Sequence, residues 1–239
     1  MAADPEVQRL QIALSRLGHR PGRLDGLWGR RTAEATVEAA LSLGIPRGLT
    51  AGLIAAVVDR VEEARAGVRV LSRSEFAALF PRSIHPASGE ALAAAMVEGV
   101  LTPRRAAAFL AQLGHESAGL RYFEEIASGS AYEGRRDLGN TQPGDGRRFK
   151  GRGPIQLTGR ANYRRFGSLL GIDLENDPAI AALPDVGFRV AIMYWTDRNL
   201  NYSADHGDFE GITRAINGGL NGYRDRQNWW IKTKAIFEV

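Results

Sequence analysis

A carboxylate on the core-facing stripe of a helix is the feature that most constrains this chain. The run from Thr102 to His115 opens with a capping threonine and a proline at the first helical position. It then sets Phe109, Leu113 and Glu116 at helical spacing, and Gly119 stops it. Glu116 therefore faces the way core residues face, near the negative end of a helix, and both conditions favour a carboxyl that keeps its proton. Glu125 follows in Phe123-Glu124-Glu125. That segment leaves the helix, so Glu125 is expected in a wetter setting and ionised. A protonated carboxyl facing a charged one across a gap of roughly 6.5–9.5 Å is the acid and base pair that admits a water and inverts an anomeric centre. Taken alone, a solvated helix-end glutamate and an ordinary charged turn are the commoner readings of these residues, so the decision falls to their surroundings.

Composition narrows the classes. The 239 residues suffice for one large or two small domains, with 44% hydrophobic and 24% charged residues as in ordinary globular chains. No apolar run reaches the roughly 18 residues of a membrane span, and Met1-Ala2-Ala3-Asp4-Pro5-Glu6 has neither a basic nor an apolar leader region. Synthesis in the cytoplasm without a signal peptide is expected, as is the absence of membrane insertion. With no cysteine there is no disulfide and no thiolate metal site. His115-Glu116 fails the zinc-peptidase pattern because Gly119 stands where the second histidine belongs. No metal or cofactor is expected. Nine basic residues between Arg135 and Arg165, against Asp137 and Asp145, read either as attraction to an anionic polymer or as loop arginines in structural pairs. No helix-turn-helix, RNA motif or zinc finger accompanies them, which disfavours nucleic acid.

Helical spacing divides the chain into residues 1–66 and 67–239. Asp4-Pro5-Glu6 starts a helix carrying Val7, Leu10, Leu14 and Leu17, and Gly18 ends it. After a turn-rich stretch through Trp28-Gly29, Thr32 is expected to cap a second helix with Val37, Ala40 and Leu41 on its buried face, stopping at Gly44. Thr50 is expected to cap a third through Ile54, Val57, Val58 and Val61. The fold class is thus mainly α, a three-helix module first. Val7-Gln8-Arg9-Leu10-Gln11, Leu17-Gly18, Pro21-Gly22, Asp25-Gly26, Trp28-Gly29 and Thr32-Ala33 together resemble peptidoglycan-binding domains of type 1, although Val37-Glu38-Ala39-Ala40 replaces the usual aromatic-glutamine step. The resemblance implies wall binding through Asp25 and Trp28. Trp28 could offer a face to a sugar or plug the small core.

The larger segment carries Ala111-Gln112-Leu113-Gly114-His115-Glu116-Ser117, Tyr132-Glu133-Gly134-Arg135, the long run Gly144 to Tyr163, and Ala215-Ile216-Asn217-Gly218-Gly219. In combination these resemble glycoside hydrolase family 19, which includes chitinases and bacterial or phage lysins. The resemblance implies a two-lobed, lysozyme-like helical domain and an inverting mechanism. It implies Glu116 as general acid and Glu125 as general base. It also implies substrate or water contacts from Tyr132, Gln156, Thr158, Asn162 and Asn217, and an acid-orienting role for Arg226. Asn221 stands where plant-type members often have a glutamate, so the charge network around the acid must differ. Ile155 and Leu157 alternate with Gln156 and Thr158, as if one face packs and the other lines a groove. Both resemblances together imply an endolysin that cuts the glycan strand of bacterial peptidoglycan as a monomer, in the periplasm or from outside after release. The alternatives are a chitinase of the same fold and a non-catalytic wall-binding protein.

Overall fold

Capping and apolar spacing resolve the chain into helices in the computed structural model, which describes residues 2–44 and 50–239, the side chains of Thr50 and Ala51 excepted. Twelve α-helices are found among the described residues and no β-strand, only isolated bridges. The first three are α1 (Pro5–Leu17), α2 (Arg30–Ser42) and α3 (Thr50–Ala66). Asp4 caps α1 by accepting from the Glu6 N–H, and Gly18 closes it at φ +96°. In α2 two expectations fail. The helix begins at Arg30 after Gly29, and Thr32 is buried, donating to Pro21 O and accepting from Gln11. Ala40 is buried as expected, but Val37 and Leu41 are exposed, and Ala35 and Ala39 face the core in their place. Small residues let α2 lie close to Leu10, Leu14, Val57 and Val61, which leaves no space for the larger side chains. The capping expected of Thr50 falls outside the described side chains.

Next come α4 (Arg73–Leu79), α5 (Ser88–Gly99), α6 (Pro103–Glu116), the single turn α7 (Asp145–Arg148), α8 (Arg160–Leu170), α9 (Pro184–Asp197), α10 (Leu200–Asp205), α11 (Phe209–Asn217) and α12 (Tyr223–Phe237). None of the described helices is long and apolar enough to cross a membrane. Ten consecutive residues of α6, Arg105 to Gly114, are buried, so this helix forms the axis of the larger core. Along it lies α12, and a Cβ on Gly114 would meet the Trp229 ring at 2.5 Å, so only glycine permits that approach.

The first three helices dock firmly on the rest. Arg105 of α6, 6% exposed, donates to the Arg16 and Leu17 carbonyls at 2.7 and 3.0 Å and to Asp205. It thereby satisfies carbonyls at the α1 C-terminus that have no partner within the helix. Beside it, Asn201 donates to Ser15 O and Gly99 O, and the Ser15 hydroxyl donates to Thr196 O at 2.6 Å. Arg105→Met keeps the aliphatic stem but strips these acceptors of their donors. A cost of about 3 kcal/mol is expected, seen by calorimetry as a melting point lower by ~6–12 °C. A fall of less than about 2 °C would show that this clamp does not hold the docking.

Candidate functional site

At the C-terminus of α6 the chain makes an unusual turn. Ala118, Gly119 and Leu120 all take positive φ, of 51°, 74° and 59°, a conformation costly for alanine and leucine. The buried Ser117 hydroxyl holds it, donating to Leu113 O at 2.6 Å and accepting from Leu120 N at 2.8 Å. The helix thus ends at Glu116 itself, not at Gly119, and the chain turns directly into the segment bearing Glu125.

Glu116 does not have the purely apolar flank expected. Arg226, 1% exposed, donates to Glu116 Oε1 at 2.6 Å and also to Gln112 Oε1. Gln112 in turn donates to Thr213 Oγ1 at 2.9 Å. This buried chain ties α6 to α11 and α12 and fixes the carboxylate. Arg226, expected to orient the acid or to contact substrate, is enclosed, and its guanidinium is spent on Glu116, Gln112 and the Asn221 carbonyl. Gln112 and Thr213 escaped the sequence reading. The signal for Gln112 was present, since it lies one turn before Glu116 on the same helix face.

Glu125 is held differently. Its backbone N–H donates to Gly151 O at 2.9 Å, its Oε2 accepts from Gly151 N at 3.0 Å, and its Oε1 accepts from the Tyr132 hydroxyl at 3.1 Å. Burial, and then the neighbouring Glu125, push the Tyr132 phenol above its ordinary value. A Cβ on Gly151 would come within 2.7 Å of Gln156 Oε1, 3.3 Å of Glu125 Oε2 and 3.4 Å of Thr158 Oγ1. Glu125, Tyr132, Gln156 and Thr158 are therefore brought together around one bare backbone position. Gln156 sits at φ +55° and Thr158 donates to its carbonyl. Its neighbour Glu124 is spent on Lys150 and Arg152, at 3.3 and 3.1 Å, and Tyr163 anchors the same strip by donating to Lys150 O.

The remaining predicted residues separate. Asn162 donates to Thr158 O at 2.8 Å and lines a separate cavity with Arg23, Arg31 and Arg198. Asn217 ends α11 with its buried Nδ2 unpartnered. Asp25 folds its own loop, accepting from Leu27 N and Gln11 Nε2. Trp28 stands 49% exposed, so it is not a core plug. Glu133 accepts from Gly144 N and Gly146 N, as a loop residue.

Most of the basic run from Arg135 to Arg165 is consumed by pairing, much of it with acids outside the run. Arg160 and Arg164 share Glu175, Arg160 also binds Asp145, and Arg165 binds Asp197. Arg164 and Arg160 hold the Glu175 carboxyl down to about 2 from an ordinary 4.5. Between those values the unfolded chain binds a proton that the folded chain does not. Stability therefore falls as pH drops through that window. Melting curves from pH 5 to pH 2 are expected to show this loss, and Glu175→Gln should flatten it. For the acid, a double-mutant cycle of Arg226→Met with Gln112→Leu is expected to give a coupling of about 1–2 kcal/mol in denaturant melts; additive effects would mean the chain is not a unit.

The chitinase class I model of glycoside hydrolase family 19 matches residues 64–213. A Haemophilus influenzae glycosyl hydrolase family 19 domain-containing protein is 30% identical over 188 residues, 66% of this chain and 92% of that protein. An endochitinase of Arabidopsis thaliana is 40% identical over 147 residues, 61% of this chain and 50% of its own, so the chain spans about half of that relative. Among solved structures, a bacterial family 19 chitinase superposes with a TM-score of 0.61 at 27% identity, over 72% of this chain and 96% of its own. Chitinase C from Streptomyces griseus gives 0.60 at 27%, over 70% and 76%. On this sequence match, and with its all-α, lysozyme-like architecture, the chain belongs to glycoside hydrolase family 19.

Proposed function

We propose that the protein hydrolyses the glycan strand of bacterial peptidoglycan by an inverting mechanism, with Glu116 as general acid and Glu125 as general base. The observation that carries this reading is the unlike anchoring of the two carboxylates. Arg226 occupies Oε1 of Glu116, which leaves Oε2 to carry the proton given to the glycosidic oxygen. Glu125 takes donors from Tyr132 and Gly151 and keeps lone pairs free to draw a proton from water. Gln156 and Thr158, beside it, offer neutral amide and hydroxyl groups suited to sugar hydroxyls and acetamido groups, and the unpartnered Asn217 amide offers one further donor.

Peptidoglycan is favoured over chitin by the pattern in residues 5–65, read as a wall-binding module, and by the exposed Trp28 with its exposed neighbour Leu27, which give that module an apolar face. The chain then acts as an endolysin-type lysin, a monomer that reaches the wall from the periplasm or from outside after release. Chitin hydrolysis is the second reading, supported by the endochitinase relatives.

Reducing-end release from purified peptidoglycan and from chitin separates the two. Glu116→Gln and Glu125→Gln are each expected to lower the rate on the preferred polymer by roughly 10²–10⁴, and NMR of the fresh product should show the inverted anomer. A retained anomer, or a variant that clears walls like the wild type, overturns the mechanism.

A further inference from the structure

The module and the larger domain meet at an open cavity of about 340 Å³, with Asn162 on its wall. Four arginines line it, Arg23 and Arg31 from the module and Arg165 and Arg198 from α8 and the end of α9, against the single carboxylate of Asp197. Asp197 is already engaged by Arg165 and lies 4.0 Å from Arg198. Arg23 and Arg31 are exposed and make no ion pair among the described residues. Glu34 and Glu38, which share the adjoining cavity with Arg31, are engaged by Arg30 and His19, so the guanidinium groups of Arg23 and Arg31 face this cavity without a paired carboxylate among the described residues. Guanidinium groups grip carboxylates and phosphates through paired N–H donors.

A second observation selects the kind of anion. Asn199, between the arginines, is held at φ +54° with its Nδ2 directed at Gly22 O, and its Oδ1 is buried without a donor. A buried acceptor left unpaired is costly. Phosphodiesters supply no N–H to it, whereas a peptide supplies N–H donors beside carboxylates. Asn162, on the cavity wall, donates to Thr158 O, and Thr158 Oγ1 and Glu125 Oε2 both flank Gly151. The cavity thus adjoins the reacting strip.

We propose that this seam is a subsite for a carboxylate-bearing peptide attached to the glycan, with Arg23 and Arg31 binding the carboxylates and Asn199 accepting a peptide N–H. It rests on peptidoglycan being the substrate, and it makes the stem peptide a determinant of specificity. Because two of the arginines come from the module, docking of the module completes the subsite.

The test is the double variant Arg23→Ser, Arg31→Ser, with an unchanged melting point as the folding control. On soluble glycan fragments bearing peptides with free carboxylates, the variant is expected to raise KM about tenfold with kcat unchanged. On the same fragments with amidated carboxylates, and on glycan stripped of peptides, it should match the wild type. Equal loss on all three, or no loss on the first, overturns the proposal. A separate arm titrates wild-type protein with a soluble muramyl tripeptide, and NMR should show the Asn199 side-chain amide shifting. If the wild type cuts only chitin, the reading of the substrate fails, while this titration still decides the subsite. Binding of a ribitol-phosphate polymer in place of the tripeptide overturns it.

Discussion

The buried guanidinium of Arg226 is the interaction on which the rest depends. A charge with 1% exposure is tolerable only when its donors are matched by fixed acceptors. Here these are Glu116, Gln112 and the Asn221 carbonyl, which lie on α6 and just before α12. Once Arg226 is buried, the two helices have one register. The paired His115 and Asp225, 2.7 Å apart and one residue earlier on each helix, strengthen it at the surface. Glu116 is then carried by the best-buried helix of the molecule, so the positioning of its carboxylate draws on the stability of the core.

Arg105 plays the corresponding part at the other end of the same helix. It caps α1 from within α6, so one axis carries the docked module at its N-terminal turn and the acid at its C-terminal end. A flexible tether would raise only the local concentration of enzyme on a polymer. Docking through Arg105, Asn201 and Ser15 does something further, since it holds the first three helices at a constant separation from Glu116.

Much of this was legible in the sequence where a signal is local. Thr102-Pro103, Asp4-Pro5 and Gly18 are read by backbone hydrogen bonding within one turn, and the helices begin and end at or near them. Thr32 misled because a threonine before an apolar run fits a cap, yet here its hydroxyl serves a long-range network with Gln11 and Pro21. Val37 and Leu41 misled because α2 packs through alanines, Ala40 among them, so the larger side chains of the expected face stand in solvent. Around the site, residue types were readable but pairings were not. The acids that neutralise Arg160, Arg164 and Arg165 are Asp145, Glu175 and Asp197, ten or more positions away in sequence, and only the fold brings them near.

Three of the five described non-glycine residues at positive φ, Ala118, Leu120 and Gln156, flank the two carboxylates. Ala118 and Leu120 follow Glu116, and Gln156 faces Glu125, all at φ values that cost non-glycine residues of order 1 kcal/mol or more each. Each strained residue has a specific restraint: Ser117 bonds on both sides of the first turn, and Gln156 is held through its own N–H and its side chain to Gly153 O. A relaxed turn after Glu116 would extend α6 and carry the next segment away from the bridge between Glu124 and Arg152. Strain here is therefore the means by which a helix-borne acid and a loop-borne carboxylate, only nine positions apart, come to stand on different elements with different partners.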